Sequence, residues 1–176
     1  KASVKLIHIQ SGDDFRKQIL AGIDGWIFPY DENAERQISG LFSRLLQELP
    51  PQQDIIISSG REIIFKQAGA DIALVQFDEL CRTALAAGDF LIIADRFKGL
   101  LMQDVPVLGD DQRDAARRFM WLVDALYDRG RFLIIGAAVA REEIYTGEDW
   151  QFEFSRTLSR LIQMSRYHLP SQDEGF

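Results

Sequence analysis

The stretch from residue 110 to residue 139 restricts the possible folds of this chain more than any other. When successive residues are placed about 100° apart on a helical wheel, one broad arc is apolar: Ala116, Phe119, Met120, Leu122, Val123, Leu126 and Tyr127. The opposite side carries a narrow stripe of Arg117, Trp121, Asp124 and Asp128. Residues 132–139 then show no polar alternation, which is typical of a strand buried on both faces. This pairing of helix and strand indicates an α/β protein.

The ends of the helix carry signals of their own. Asp110 or Asp111 can accept the first backbone amides as an N-cap. Gly130 stands where a helix stops in a left-handed conformation. We therefore predict that the helix starts at this acidic pair and ends before Gly130.

Similar patterns predict the other elements. Apolar and β-branched runs predict strands at residues 4–9, 26–28, 54–57, 62–65, 72–77 and 99–105. Helices are predicted at residues 34–49 (capped by Asp31 or Asn33), 77–81, 90–97 (capped by Asp89) and 150–167. Residues 11–14 are predicted to form a polar turn, and residues 141–145 a helical one.

The predicted fold class is α/β, with helix–strand units forming a mainly parallel sheet. Residues 1–50 would form a strand and helix that lead into the fold, and residues 78–170 an α/β module. Between them, a small β-rich hairpin insertion is predicted near residues 54–77.

Composition excludes several classes of function. The 176 residues are 47% apolar and carry a net charge of −7, which suits a buried core and disfavours a general nucleic-acid surface. No run approaches the roughly 18 apolar residues of a membrane span. A single cysteine, Cys81, leaves no internal disulfide to form. Leucines surround it, so we expect a buried thiol rather than a nucleophile.

The common catalytic motifs are absent from the sequence. There is no GxxxxGK[ST] phosphate loop, no GxGxxG after a strand and no GxSxG elbow. His8 and His168 are the only histidines, and neither has a partner at metal-ligand spacing, so no metal site is expected. An acidic cluster is best interpreted as the starts of two short helices: Glu142, Glu143, Glu148 and Asp149.

Two pairs of arginines are the remaining candidates for chemistry: Arg117 and Arg118 on the long helix, and Arg156 and Arg160 on the last one. On that last helix, Arg156 and Arg160 point away from the apolar face. One interpretation is solvated helix faces with local pairs such as Asp114 with Arg118. The other is guanidinium groups aimed at phosphate, which a planar, permanently charged fork suits.

Several short runs, taken in order, identify a family. The most specific are Ala116-Arg-Arg-Phe119, Leu122-Val-Asp124, Leu126-Tyr-Asp128 and Phe152-Glu-Phe-Ser-Arg-Thr-Leu-Ser-Arg-Leu161. Further runs are Phe77-Asp-Glu-Leu-Cys81, Asp89-Phe-Leu-Ile-Ile-Ala94 and Asp104-Val-Pro106, with Gly60-Arg61 and Asp14-Phe-Arg16. Together they cover nearly the whole chain, which resembles the C-terminal part of the ZapE family of cell-division ATPases, the bacterial relatives of mitochondrial AFG-like ATPases.

The resemblance implies a cytoplasmic P-loop ATPase of the AAA+ type that uses ATP and Mg²⁺ and meets a protein partner in cell division or quality control. The family's phosphate loop and Mg²⁺-binding strand lie N-terminal to this chain. Residues 1–176 are therefore expected to form the single C-terminal domain of a larger ATPase, with no cofactor of their own. The resemblance also allows a homo-oligomer. It makes the four arginines candidates to face a phosphate: Arg117, Arg118, Arg156 and Arg160.

Two other functions stay open. Residues 54–77 could bind a partner by an edge or a face, which would make the chain an interaction module with no role in hydrolysis. A stand-alone enzyme that uses the acidic cluster is the third option, and the lack of spaced histidines disfavours it.

Overall fold

The computed structural model describes residues 12–166, with the side chains of residues 14–165. The strand predicted at residues 4–9, both histidines and the predicted end of the last helix at Tyr167 lie outside this part. Its strands are β1 (Trp26–Ile27), β2 (Gln52–Ser58), β3 (Arg61–Gly69), β4 (Ile72–Gln76), β5 (Gly99–Val105) and β6 (Phe132–Ala137). Its helices are α1 (Gly12–Leu20), α2 (Glu32–Leu45), α3 (Phe77–Cys81), α4 (Ala87–Arg96), α5 (Arg113–Asp128) and α6 (Gln151–Arg166).

The strands form one six-stranded sheet in the order β1-β6-β5-β4-β3-β2. β1, β6, β5 and β4 run parallel, while β3 is antiparallel to both β4 and β2. The predicted α/β class with a mainly parallel sheet is therefore confirmed. The β-rich insertion is a hairpin of β2 and β3, whereas its third predicted strand, β4, belongs to the parallel part of the sheet.

Helices cover the two faces of the sheet with separate apolar cores. On one face, α3, α4, α5 and α6 pack against alternate strand residues, among them Val75, Met102 and Ile135. On the other, α1 and α2 pack against the intervening residues, among them Leu74 and Ile134. The alternation explains why β4, β5 and β6 read as continuous apolar runs, since both faces of each strand are buried.

Two predicted boundaries on the α1–α2 face are wrong. The stretch predicted to begin with a polar turn at residues 11–14 forms α1 from Gly12 onward. α2 ends at Leu45 rather than at residue 49, because Gln47 and Glu48 adopt left-handed conformations with φ of 54° and 61°. The chain thus leaves the helix before it reaches Pro50 and Pro51.

The ends of α5 match the prediction in part. Gly130 follows the helix with a φ of 66°, a conformation that glycine adopts without a Cβ clash. At the other end, a turn of 3₁₀ helix (Asp110–Gln112) precedes α5 and Gln112 is the N-cap residue. Neither Asp110 nor Asp111 caps α5, so that prediction is wrong. None of the helices in residues 12–166 is long and apolar enough to cross a membrane.

Candidate functional site

The long helix α5 has a buried face and an outer stripe. Phe119, Val123 and Leu126 are fully enclosed, as the sequence predicts. The outer stripe of α5 is less exposed than predicted. Because α6 packs along α5, most side chains of this stripe are half-buried. We call this contact the arginine seam; it is formed by Arg117, Trp121, Asp124 and Asp128 of α5 with Trp150, Arg156 and Arg160.

Aromatic rings hold Arg117 in the seam. Its guanidinium carbon lies 4.8 Å from the ring centroid of Trp150 and 5.8 Å from that of Trp121. Arg113 approaches the same Trp150 ring to 5.3 Å. Such cation–π contacts stabilise by about 0.5–2 kcal/mol, more when water is excluded. Arg117 therefore stacks on two tryptophans rather than standing in a solvated helix face.

Arg160 is the most firmly held arginine of the seam. Its Nη1 donates to Asp124 Oδ1 at 2.5 Å, its Nη2 lies 3.8 Å from Asp128 Oδ1, and its guanidinium carbon is 4.7 Å from the Tyr127 ring centroid. Only 17% of its side chain is exposed. Arg160 points away from the apolar face of α6, as predicted, but α5 lies against that side, so its guanidinium is engaged within the domain.

Arg156, one turn before Arg160, differs from it. Its side chain is 62% exposed, and its one ion pair is a 3.8 Å approach of Nη2 to Asp124 Oδ2. Asp124 is already bonded to Arg160, so Arg156 shares a carboxylate whose charge is largely compensated. Arg156 is thus the seam arginine whose guanidinium can reach a second molecule without losing a close partner.

Arg118 lies on the other side of α5, away from the seam. Its Nε donates to the Leu85 carbonyl and its Nη1 to the Cys81 carbonyl, both at 3.2 Å. The cation therefore ties the end of α3 to the loop that follows, where helix carbonyls lack partners, instead of pairing with Asp114. The four candidate arginines do not form one cluster: three lie along the seam and Arg118 does not.

Cys81, at the end of α3, is fully buried. Burial raises the pKa of its thiol far above the usual range, and the opposing effect of the nearby Arg118 charge is smaller. A thiol that stays protonated in an apolar core is a poor nucleophile. The interpretation of Cys81 as a small buried hydrophobic residue is confirmed.

The N-termini of α2 and α3 are closed by carboxylates of the chain itself. Asp31 Oδ1 accepts the Ala34 amide at 2.9 Å, which confirms Asp31 as the N-cap of α2. Glu79 Oε2 accepts the Gln76 amide at 3.1 Å at the start of α3. Free amides at a helix N-terminus are the usual cradle for phosphate. Here one amide at each helix start donates to an acid of the chain instead.

Asp89 closes α4 in the same manner and also joins the β2–β3 hairpin to the helix. It is the third residue of the helix rather than the predicted N-cap, since α4 starts at Ala87. Its Oδ2 accepts the Ala86 amide at 2.7 Å and Arg61 Nη2 at 2.8 Å, and its Oδ1 accepts the Ser58 hydroxyl. Burial disfavours the charged form, but these hydrogen bonds and the Arg61 charge outweigh it and hold the pKa of Asp89 below its usual value.

Asp110 organises the loop that enters α6. Its carboxylate accepts the Glu148 amide at 2.9 Å and the Asp149 amide at 3.1 Å, and these bonds lower its pKa. A Cβ at Gly147 would lie 2.5 Å from both Asp110 Oδ1 and the Tyr145 hydroxyl, so a larger residue there would displace these side chains. The acidic cluster is arranged as predicted: one pair lies in a 3₁₀ turn (Arg141–Glu143) and the other precedes α6.

Several polar side chains meet at the carboxyl ends of the parallel strands. No motif in the sequence predicted that they lie together. The side-chain amide Nε2 of Gln76 donates to Gln103 Oε1 at 2.7 Å. The side-chain Nε2 of Gln103 donates in turn to the Ser39 hydroxyl of α2 at 3.5 Å. Nearby, burial and then the charges of Glu35 and Asp104 raise the pKa of Tyr30. These residues lie on separate elements, and only the sheet brings them together. Their hydrogen bonds are mostly internal, so they join α2 to β4 and β5.

A shallow pocket beside the start of α6 is lined by Arg141, Tyr145, Phe154, Ser155 and neighbouring residues. Arg141 Nη1 donates to the Ser165 hydroxyl at 3.0 Å, Nη2 lies 3.5 Å from Asp24 Oδ1, and the guanidinium carbon is 5.9 Å from the Trp26 ring centroid. The arginine is thus used to hold the end of α6 against β1. Glu142, in the exposed 3₁₀ turn, is the other charged residue that lines the pocket.

ATP and Mg²⁺, which the resemblance implies, do not fit the residues of this chain. In the part that the structure describes, no group of three or more His, Cys, Asp or Glu side chains could hold a metal ion. At the starts of α2, α3 and α4, one backbone amide each, of Ala34, Gln76 and Ala86, donates to Asp31, Glu79 and Asp89, and in the loop ahead of α6 the Glu148 amide donates to Asp110. A nucleotide would meet negative charge at each of these positions.

Comparison with known proteins extends the sequence resemblance. Residues 1–171 match the model of the AFG1-like ATPase family. Cell division protein ZapE of Escherichia coli (strain K12) is 29% identical over 164 residues, which are 93% of this chain and 44% of ZapE. Lactation elevated protein 1 homolog B of Danio rerio is 27% identical over an alignment of 199 positions, which covers 93% of this chain and 40% of that protein. No solved structure matches the chain.

The chain spans less than half the length of these relatives. The family model, by contrast, covers nearly all of the chain, including both the α5 runs and the α6 run that carry the resemblance. The chain therefore belongs to the AFG1-like ATPase family.

Proposed function

We propose that this chain is the C-terminal domain of a cytoplasmic AAA+ type ATPase, and that it couples ATP binding and hydrolysis in a separate nucleotide-binding core to a protein partner. One observation carries the proposal: at the starts of α2, α3 and α4, a carboxylate of the chain itself accepts a backbone amide where a phosphate could otherwise bind. A family member built in this way needs its nucleotide and Mg²⁺ to be held by another part of the protein. This domain then acts on that site from outside.

Arg156 is the residue that we assign to this action. It is the seam arginine with an exposed guanidinium and only a distant ion pair. A permanently charged, planar fork can stabilise the charge that develops on a transferring phosphoryl group. Arg160 is a positioning residue in this proposal, because its bond to Asp124 fixes the carboxylate against which Arg156 rests. Arg117 and Arg118 are less suited, since both are engaged within the domain.

Steady-state ATPase assays test the assignment in the longer protein that carries this domain together with the nucleotide-binding core. Arg156→Ala should lower kcat about 10³-fold or more, as loss of a phosphate-facing arginine does. Arg156→Lys should restore little, because an ammonium group lacks the planar fork. Arg160→Ala should lower kcat less, since it acts through Asp124.

A matched control is Arg36→Ala, which removes an exposed arginine from α2 on the opposite side of the sheet. Its kcat should stay within about twofold of the parent value, as for a solvated surface residue. If Arg117, Arg118, Arg156 and Arg160 could each be replaced by alanine with no loss of activity, the assignment would be wrong. The chain would then be an interaction module.

The interaction-module alternative rests on a separate observation, the hairpin of β2 and β3. Ile55, Ile57 and Ile64 on one face of this hairpin are 46%, 63% and 48% exposed. Large apolar side chains grouped on a surface commonly mark a binding site. By the name of its bacterial relative, the partner of the whole protein would belong to the cell-division machinery.

A further inference from the structure

We draw no further inference here: the strongest candidate, the exposed apolar face of the β2–β3 hairpin formed by Ile55, Ile57 and Ile64, carries none, because nothing in the part of the chain that the structure describes shows what covers it.

Discussion

The arginine seam and the exposed face of the β2–β3 hairpin contradict expectation in opposite directions. Ile55, Ile57 and Ile64 form this exposed face, which we call the apolar ribbon face. In the seam, charged side chains on the outer stripe of a helix are half-buried and engaged, with Arg160 only 17% exposed. On the ribbon face, isoleucines in a regular strand are exposed, with Ile57 63% exposed. Residue type alone would have assigned each region to the other environment.

The difference shows that exposure is decided by the neighbouring element rather than by the pattern within one element. α6 lies along α5 and offers Arg160 to Asp124, so the stripe becomes a contact. The α1–α2 layer covers Ile72 and Leu74 of β4 but does not cover the hairpin beyond it. The seam therefore joins two helices within the domain, while the ribbon face is available to a second molecule.

The largest loss of stability is expected at Asp89, which joins the β2–β3 hairpin to α4. Asp89→Ala removes a carboxylate that is 2% exposed and accepts three hydrogen bonds, and leaves the Ser58 hydroxyl and Arg61 Nη2 without this partner. Hydrogen bonds to a charged group are worth about 1.5–3 kcal/mol each, and part of this is recovered through water at the half-exposed Arg61. We expect a loss of about 2–3 kcal/mol in the free energy of unfolding, measured by urea denaturation.

The same carboxylate predicts a pH dependence. The pKa of Asp89 is lower in the folded chain than in the unfolded one, so its stabilising effect is complete above the unfolded pKa of about 3.9. This contribution is lost as the pH falls through the lower, folded pKa. Below about pH 4, the parent should lose stability more steeply than Asp89→Asn, which has no such proton to take up. Parallel curves for the two proteins would show that the carboxylate is not stabilised by folding.

Within the seam, the two α6 arginines should behave differently. Arg160→Ala removes a well-enclosed ion pair and the stacking on Tyr127, and should lower the free energy of unfolding by about 1–2 kcal/mol. Arg156→Ala should change it by less than about 0.5 kcal/mol, as is usual for exposed pairs. A double-mutant cycle with Asp124→Ala should give a clear coupling for Arg160 and a negligible one for Arg156. Equal couplings would mean that Arg156 is as firmly held as Arg160 in solution.

The smallest effect is expected on the ribbon face. Ile57→Thr keeps the β-branched shape that suits a strand and removes little buried area, so the monomer should change in stability by less than about 0.5 kcal/mol. The measurement belongs at low micromolar protein, where any association is negligible. A loss of 1 kcal/mol or more there would show that Ile57 contacts another part of its own chain.

Much of the fold could be predicted because its signals are local. The amphipathic pattern of α5, the unbroken apolar run of β6 and the left-handed Gly130 each act within a few residues. α1 was missed because its short helix begins among residues typical of a turn. The end of α2 was misplaced because the backbone turns at Gln47, before the prolines.

The candidate site was predictable in its residues but not in its geometry. The spacing of Arg156 and Arg160 placed both on one side of α6, and this side does face α5 at Asp124. No pattern within α6 could show that α5 lies there, so the engagement of Arg160 was missed. Asp110 was assigned to the wrong helix for the same reason, since its partners Glu148 and Asp149 are far away in sequence.

The central claim is that this chain acts on a nucleotide held by another part of the protein. Isothermal titration of the 176-residue chain with Mg-ATP tests it most directly. Because Asp31, Glu79 and Asp89 place negative charge at the starts of α2, α3 and α4, and the sequence has no GxxxxGK[ST] loop, we expect no saturable binding up to about 1 mM nucleotide. Binding at one site with a Kd of about 1–10 μM would contradict the account, because it would require a phosphate cradle within this chain.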